Sequence, residues 1–95
     1  MSKPYAHFAH LCAAAEQAGL LSEWFAFLFT PAELEAIFAR LTLTEALLSP
    51  QLTQREMAKE LNISIAKITR GSNALKQISP ELKTFLEQTI TPLNS

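Results

Sequence analysis

Leu52–Lys76 reads LTQREMAKELNISIAKITRGSNALK. This spacing predicts two short helices joined by a tight turn. Thr53-Gln54-Arg55-Glu56 is a capping box: the threonine hydroxyl takes one orphan N–H and the glutamate reaches back to another. Met57, Ala58 and Leu61 then fall on one helical face. Asn62 suits a turn that demands a left-handed residue. Ser64 caps the next helix, which is expected to run from Ile65 to about Lys76. Two helices so joined make a helix-turn-helix. Ala58 is small where the helices cross, and Met57, Leu61, Ile63 and Ile68 are apolar where the motif must bury itself.

The opposite side of the second helix offers Ile65, Ala66, Lys67, Thr69, Arg70 and Asn73 to solvent. Its N-terminal residues, with Ser64, are the ones that would enter a DNA major groove. Lysine, threonine and small apolar side chains contact bases or thymine methyls there. Gln54, Arg55, Thr69 and Lys76 are candidate phosphate contacts, which set register rather than sequence choice.

Outward from this stretch the pattern stays helical. A helix is expected from about Pro4 to Ala18, stopped by Gly19, and a shorter one over Leu20–Phe29. Thr30-Pro31-Ala32-Glu33 is a second capping box with proline at the first helical position. The helix after it carries Leu34, Ile37, Phe38, Leu41, Leu47 and Leu48 and is expected to end at Pro50. Ser79-Pro80-Glu81 opens a last helix with Leu82, Phe85, Leu86 and Ile90, and Thr91–Ser95 is expected to fray. Only Gly19 and Gly71 are glycines, and strand-like alternation is hard to find. The expected class is all-α, in a single domain. Residues 1–50 form core helices, residues 53–76 the helix-turn-helix and residues 79–90 a C-terminal core helix.

The chain has 95 residues and is 48% hydrophobic, which excludes a disordered polar tail. A single domain this small buries only about 60–65% of its unfolded surface, so apolar surface stays wet unless a partner covers it. A homodimer is the simplest partner.

The formal net charge of −1 hides an asymmetry. Up to Pro50 the cations are Lys3 and Arg40, against Glu16, Glu23, Glu33, Glu35 and Glu45. From Gln51 to Lys76 they are Arg55, Lys59, Lys67, Arg70 and Lys76, against Glu56 and Glu60. One short basic block on an acidic protein is the pattern of a local phosphate-binding patch.

Cys12 is alone, which suits a reducing cytosol. No signal peptide is expected, and the longest apolar run, Trp24–Phe29, is far too short to span a membrane. A cytoplasmic protein without a membrane partner follows. His7, His10 and Cys12 are too loosely spaced for a metal site, and no metal is expected. Trp24 and the neighbouring phenylalanines are read as core or dimer interface. No nucleophile–base pairing or phosphate-cradling loop points to an enzyme.

The run Ile68-Thr69-Arg70-Gly71-Ser72-Asn73 resembles the tryptophan operon repressor family, and Thr30-Pro31-Ala32-Glu33 and Arg40 fit it at the right distance upstream. The resemblance covers about Phe27 to Phe85. It implies an intertwined homodimer of six-helix subunits, each with a helix-turn-helix reading head, that binds operator DNA. It also implies L-tryptophan as corepressor, controlling tryptophan biosynthesis genes, with no further cofactor.

In the family two arginines sandwich the indole, and the matches are Arg40 and Arg70. A guanidinium plane stacks well on an indole face. The resemblance further assigns Arg70 and the Thr30 hydroxyl to the ligand carboxylate and gives Gly71 the role of leaving room for the ligand. It assigns the carbonyls near Phe27 and Phe29 of the other subunit to the ligand ammonium.

The match is incomplete. Ala74 replaces a serine that helps hold the ammonium, and a lost hydrogen bond of that kind is worth about 1.5–3 kcal/mol. Lys67 and Ala58 stand where other members have threonine and lysine. Two other readings are therefore carried: a related helix-turn-helix regulator with a different ligand or none, and a dimerisation module that does not bind DNA. The basic block argues against the second of these.

Overall fold

Ser2 begins the first helix. The structure, a computed structural model, describes residues 2–48 and 52–90. There the Ser2 hydroxyl accepts from the Tyr5 N–H at 3.4 Å, and α1 runs over Lys3–Gln17 with Pro4 in its first turn. Ala18 closes it and Gly19 follows at φ +73°, a left-handed conformation that glycine adopts without a Cβ penalty. α2 is Leu21–Leu28 and α3 is Pro31–Leu48. The remaining helices are α4 (Gln54–Leu61), α5 (Ile65–Lys76) and α6 (Pro80–Thr89). All regular structure among the described residues is helical. The expected stop at Pro50 and the expected fraying of Thr91–Ser95 lie outside the described residues.

Both capping boxes are formed. The Thr30 hydroxyl accepts from the Glu33 N–H at 3.1 Å, and the Glu33 carboxylate accepts from the Thr30 N–H at 2.8 Å. Thr53 and Glu56 repeat the pair at 3.1 and 2.8 Å. In each case the backbone N–H of the threonine is the larger cause that lowers the glutamate's pKa, with the hydroxyl second. Ser79 caps α6 by accepting from the Leu82 N–H at 3.1 Å.

The chain divides into two compact units, one up to Ile37 and one from Phe38 onward, with α3 passing through the boundary. In the first unit, α1 and α2 pack through aromatic rings. Phe8 meets Phe29 edge-on with centroids 6.5 Å apart, and Phe25 meets Phe29 at 5.8 Å. Trp24 stacks on Phe27 at 6.4 Å. Neither helix contains a buried residue, and the Trp24 Nε1 is buried without a hydrogen-bond partner.

The second unit is built on Leu43, Met57 and Ile68, one residue each from α3, α4 and α5. Ile68 is wholly buried, and Ala46, Leu47, Leu52, Ala58, Leu61 and Ile63 pack around the three. The closest approach is at Gly71. A Cβ there would lie 2.8 Å from Leu43 Cδ2 and 3.4 Å from Leu47 Cδ1. So the glycine in the middle of α5, unfavourable for a helix by roughly 1 kcal/mol, lets α5 seat against α3.

Two outcomes follow for unfolding monitored by circular dichroism at fixed protein concentration. Ile68→Ala loses about 2–5 kcal/mol by transfer and cavity terms. Gly71→Ala gains up to ~1 kcal/mol of helix propensity but overpacks Leu43 at a cost of about 1–3 kcal/mol. Leu43 is itself buried, so its side chain must shift within the core to admit the added methyl. A lowered melting temperature is therefore expected, and a raised one contradicts the packing.

The capping boxes also predict a pH dependence. A folded-state pKa below the unfolded one means that Glu33 and Glu56 contribute stability above the ordinary carboxylate range. That stability is lost as pH falls through the lowered values. Carboxyl titration by NMR should place both groups below a glutamate in a blocked peptide; ordinary values mean that the boxes are open in solution.

Candidate nucleic-acid interface

The turn between α4 and α5 is made by Asn62, at φ 55° and ψ 46°, the left-handed conformation expected of it. The Ile63 N–H donates back to the Ala58 carbonyl at 3.2 Å and closes the C-terminus of α4. Ser64 is extended, and its hydroxyl oxygen accepts from the Lys67 N–H at 3.2 Å. The chain therefore turns sharply and starts α5 at once, and its first residues are exposed. Met57 and Ile68 are buried beneath them, and Leu61 and Ile63 are half-buried. This is a helix-turn-helix with its apolar face inward.

Every candidate DNA contact is exposed: Gln54 and Arg55 at the start of α4, Ser64 at the turn, and Ile65, Ala66, Lys67, Thr69, Asn73 and Lys76 along α5. Ile65 is a β-branched residue half exposed at the first position of α5. The Thr69 hydroxyl donates toward the Gln54 carbonyl oxygen at 3.4 Å, a long contact that leaves the amide NH₂ of Gln54 out of this bond. Two candidate phosphate contacts from different helices thus adjoin at one edge of the motif.

A groove of about 430 Å³ lies between α3 and the turn. Ala39 and Thr42 of α3 form one wall, and Leu61, Asn62, Ile63, Ser64 and Lys67 form the rest. No acidic residue lines it.

The candidate ligand residues fall in both units. Arg40 on α3 and Arg70 on α5 belong to the second and are both exposed. Arg40 stands one turn before Leu43 on α3, and Arg70 precedes Gly71 on α5. Neither lines the groove. The space above Gly71 is taken by Leu43 and Leu47, which gives this glycine a packing role that the ligand-based reading did not anticipate. The Arg40 carbonyl accepts from the Thr44 hydroxyl at 2.7 Å.

Thr30, Phe27 and Phe29 belong to the first unit. The Thr30 hydroxyl oxygen is engaged by the α3 cap. Phe29 is the extended C-cap of α2, and the last carbonyls of that helix have no further turn to take them up.

Ala39 and Thr42 were not singled out in the sequence. The helical register that aligns them with Leu43 was readable, but which face of α3 meets the turn was not. A glycine in mid-helix was a signal of close helix approach.

Among the described residues, no group of histidine, cysteine and acidic side chains is placed to hold a metal ion. No helix there is long and apolar enough to cross a membrane.

Comparison with known proteins agrees with this geometry. The sequence profile of the Trp repressor protein family matches residues 3–90. A Trp operon repressor homolog of Chlamydia caviae is 45% identical over 80 residues, 84% of this chain and 79% of that protein. One of Chlamydia trachomatis serovar D is 40% identical over 83 residues, 87% of this chain and 88% of that one. One of Vibrio cholerae is 45% identical over 65 residues, covering 68% and 63%. Helix order, the capped turn and these matches together show that the chain belongs to the Trp repressor protein family.

Proposed function

We propose that this protein is a cytoplasmic transcriptional repressor, not an enzyme. It binds operator DNA as a homodimer with L-tryptophan as corepressor and controls tryptophan biosynthesis genes. The observation that carries this reading is the capped helix-turn-helix, whose reading helix is seated on α3 at Gly71.

A dimer answers the chain's exposed apolar surface. Tyr5, Phe8 and Leu11 on α1, Leu20 before α2, Phe27 and Leu28 on α2, and Leu82 and Phe85 on α6 are all exposed. Phe27 is the extreme, at 82%. A second copy that covers these helices removes exposed apolar surface from water. It also gives two reading heads, which a DNA duplex accepts when they lie about 34–36 Å apart.

The ligand reading assigns L-tryptophan to the space between Arg40 and Arg70. Two guanidinium planes there face the indole, and Arg70 with the Thr30 hydroxyl receives the carboxylate. The carbonyls at the end of α2, near Phe27 and Phe29 of the other subunit, carry the partial negative charge of a helix C-terminus and suit the ammonium. Gly71, whose Cβ side is filled by Leu43 and Leu47, would offer only its backbone to the ligand. Because Arg40 rides on the core helix and Arg70 on the reading head, a ligand held by both favours one head orientation over others. It acts by shifting a population, not by building a new site. Gln54, Arg55, Thr69 and Lys76 hold phosphates, while Ser64, Ile65, Ala66, Lys67 and Asn73 face the bases.

Isothermal titration calorimetry with L-tryptophan, with D-tryptophan and phenylalanine as controls, tests the ligand. Saturable binding of the L-isomer at one site per chain is the expected result. Arg70→Ala should weaken it at least ~30-fold, since a stacked cation and a charged hydrogen bond are lost together. Absence of binding, with an unchanged melting temperature, transfers the regulator to another ligand or none. Binding unaffected by Arg70→Ala removes the sandwich.

A further inference from the structure

The first turn of α5 is unusually simple chemically. Ser64, Ile65, Ala66 and Lys67 are all exposed. The Ser64 side chain is short, and its oxygen is held at the helix start by the Lys67 N–H. Ile65 and Ala66 have no side-chain donor or acceptor. Further along the helix, the Thr69 hydroxyl is turned toward Gln54. That leaves the Lys67 ammonium as the one long, free polar head at the tip that would enter a groove first.

The surroundings keep that head free. Lys67 lines the groove together with Ala39 and Thr42 of α3. No carboxylate lines that groove to draw the ammonium back. An ammonium is a donor only, with no acceptor capacity. It therefore selects a base edge that offers acceptors alone and is repelled by an edge that presents a donor. In the major groove, guanine shows two acceptors side by side, O6 and N7. Adenine and cytosine each present an amino donor there, and thymine pairs its single acceptor with a methyl group. Ile65 and Ala66, beside Lys67, are suited to such a methyl.

We infer that Lys67 is the specificity-determining residue of the reading head and that each operator half-site carries a guanine opposite it, adjoining a thymine packed by Ile65 and Ala66. This deepens the proposed function and rests on its DNA-binding reading. The free ammonium at the helix tip sets the operator's base preference, while the phosphate contacts at Gln54, Arg55 and Lys76 set only register.

The experiment is selection of bound duplexes from a randomised pool, with L-tryptophan present, by the full-length wild type and by Lys67→Met and Lys67→Gln. Both replacements are exposed, and circular dichroism verifies their helix content. The wild type should enrich a symmetric pair of guanines. Replacing that guanine in the selected site should weaken wild-type binding roughly 5- to 150-fold. Lys67→Met should lose the preference at that position alone. Lys67→Gln should convert it to adenine, whose N6 and N7 match a carboxamide.

If Lys67→Met instead binds every sequence more weakly, keeps the same base preference and lowers the salt slope by about 1, Lys67 is a phosphate contact and the inference is overturned. If the wild type enriches no sequence at all, the DNA-reading function fails and takes the inference with it.

Discussion

The contact of Leu43 with Gly71 is the constraint on which the reading head depends. α4 and α5 are short helices, and their shared core is little more than Met57 and Ile68. Such a pair does not stand alone. It acquires a fixed place because α5 has no Cβ at one position and α3 sets a leucine there, against which Ile68 and Met57 close. Arg40 stands one turn before Leu43 on α3 and Arg70 next to Gly71 on α5, so both are carried by the helices that meet there.

The helix ends give this design its economy of length. Every helix from α3 onward whose N-cap is described begins with a serine or threonine whose hydroxyl takes an N–H of the first turn. Sharp starts allow the turn at Asn62–Ser64 to be short, and a short turn projects the tip of α5. The chemistry of the interface follows from that projection: apolar Ile65 and Ala66 and cationic Lys67 lead, and Gln54 and Arg55 stand at the start of the neighbouring helix. By contrast, α1, α2 and α6 hold no buried residue within their spans, although they carry most of the aromatic side chains. Their exposed apolar side chains suit a covering partner, and the indole N–H of Trp24 is buried without a hydrogen-bond partner.

Much of this was legible in the sequence because it is local. A capping box needs residues three apart, a left-handed turn needs an asparagine, and a helical face needs a period; Thr53–Glu56, Asn62 and Met57 with Ile68 satisfy these within a few residues. Helix limits came within a residue or two for the same reason. The seam and the groove were not legible in that way. Gly71 was read through its supposed ligand, whereas its neighbour is a leucine 28 positions earlier in the chain. The pairing of Thr69 with Gln54, and the meeting of Ala39 and Thr42 with the turn, depend on how three helices cross. Periodicity says which side of a helix is apolar, and distance in space decides what that side meets.

Fluorescence anisotropy of a duplex drawn from a selected pool, titrated with the protein across a salt series with and without L-tryptophan, tests the central claim most directly. If two basic reading heads grip phosphates with at least Arg55 and Lys76 each, affinity falls with salt at a logarithmic slope of about −3.6 or steeper. That slope is expected together with tighter binding when L-tryptophan is present. Binding that ignores both salt and ligand, or no binding at the lowest salt, contradicts it.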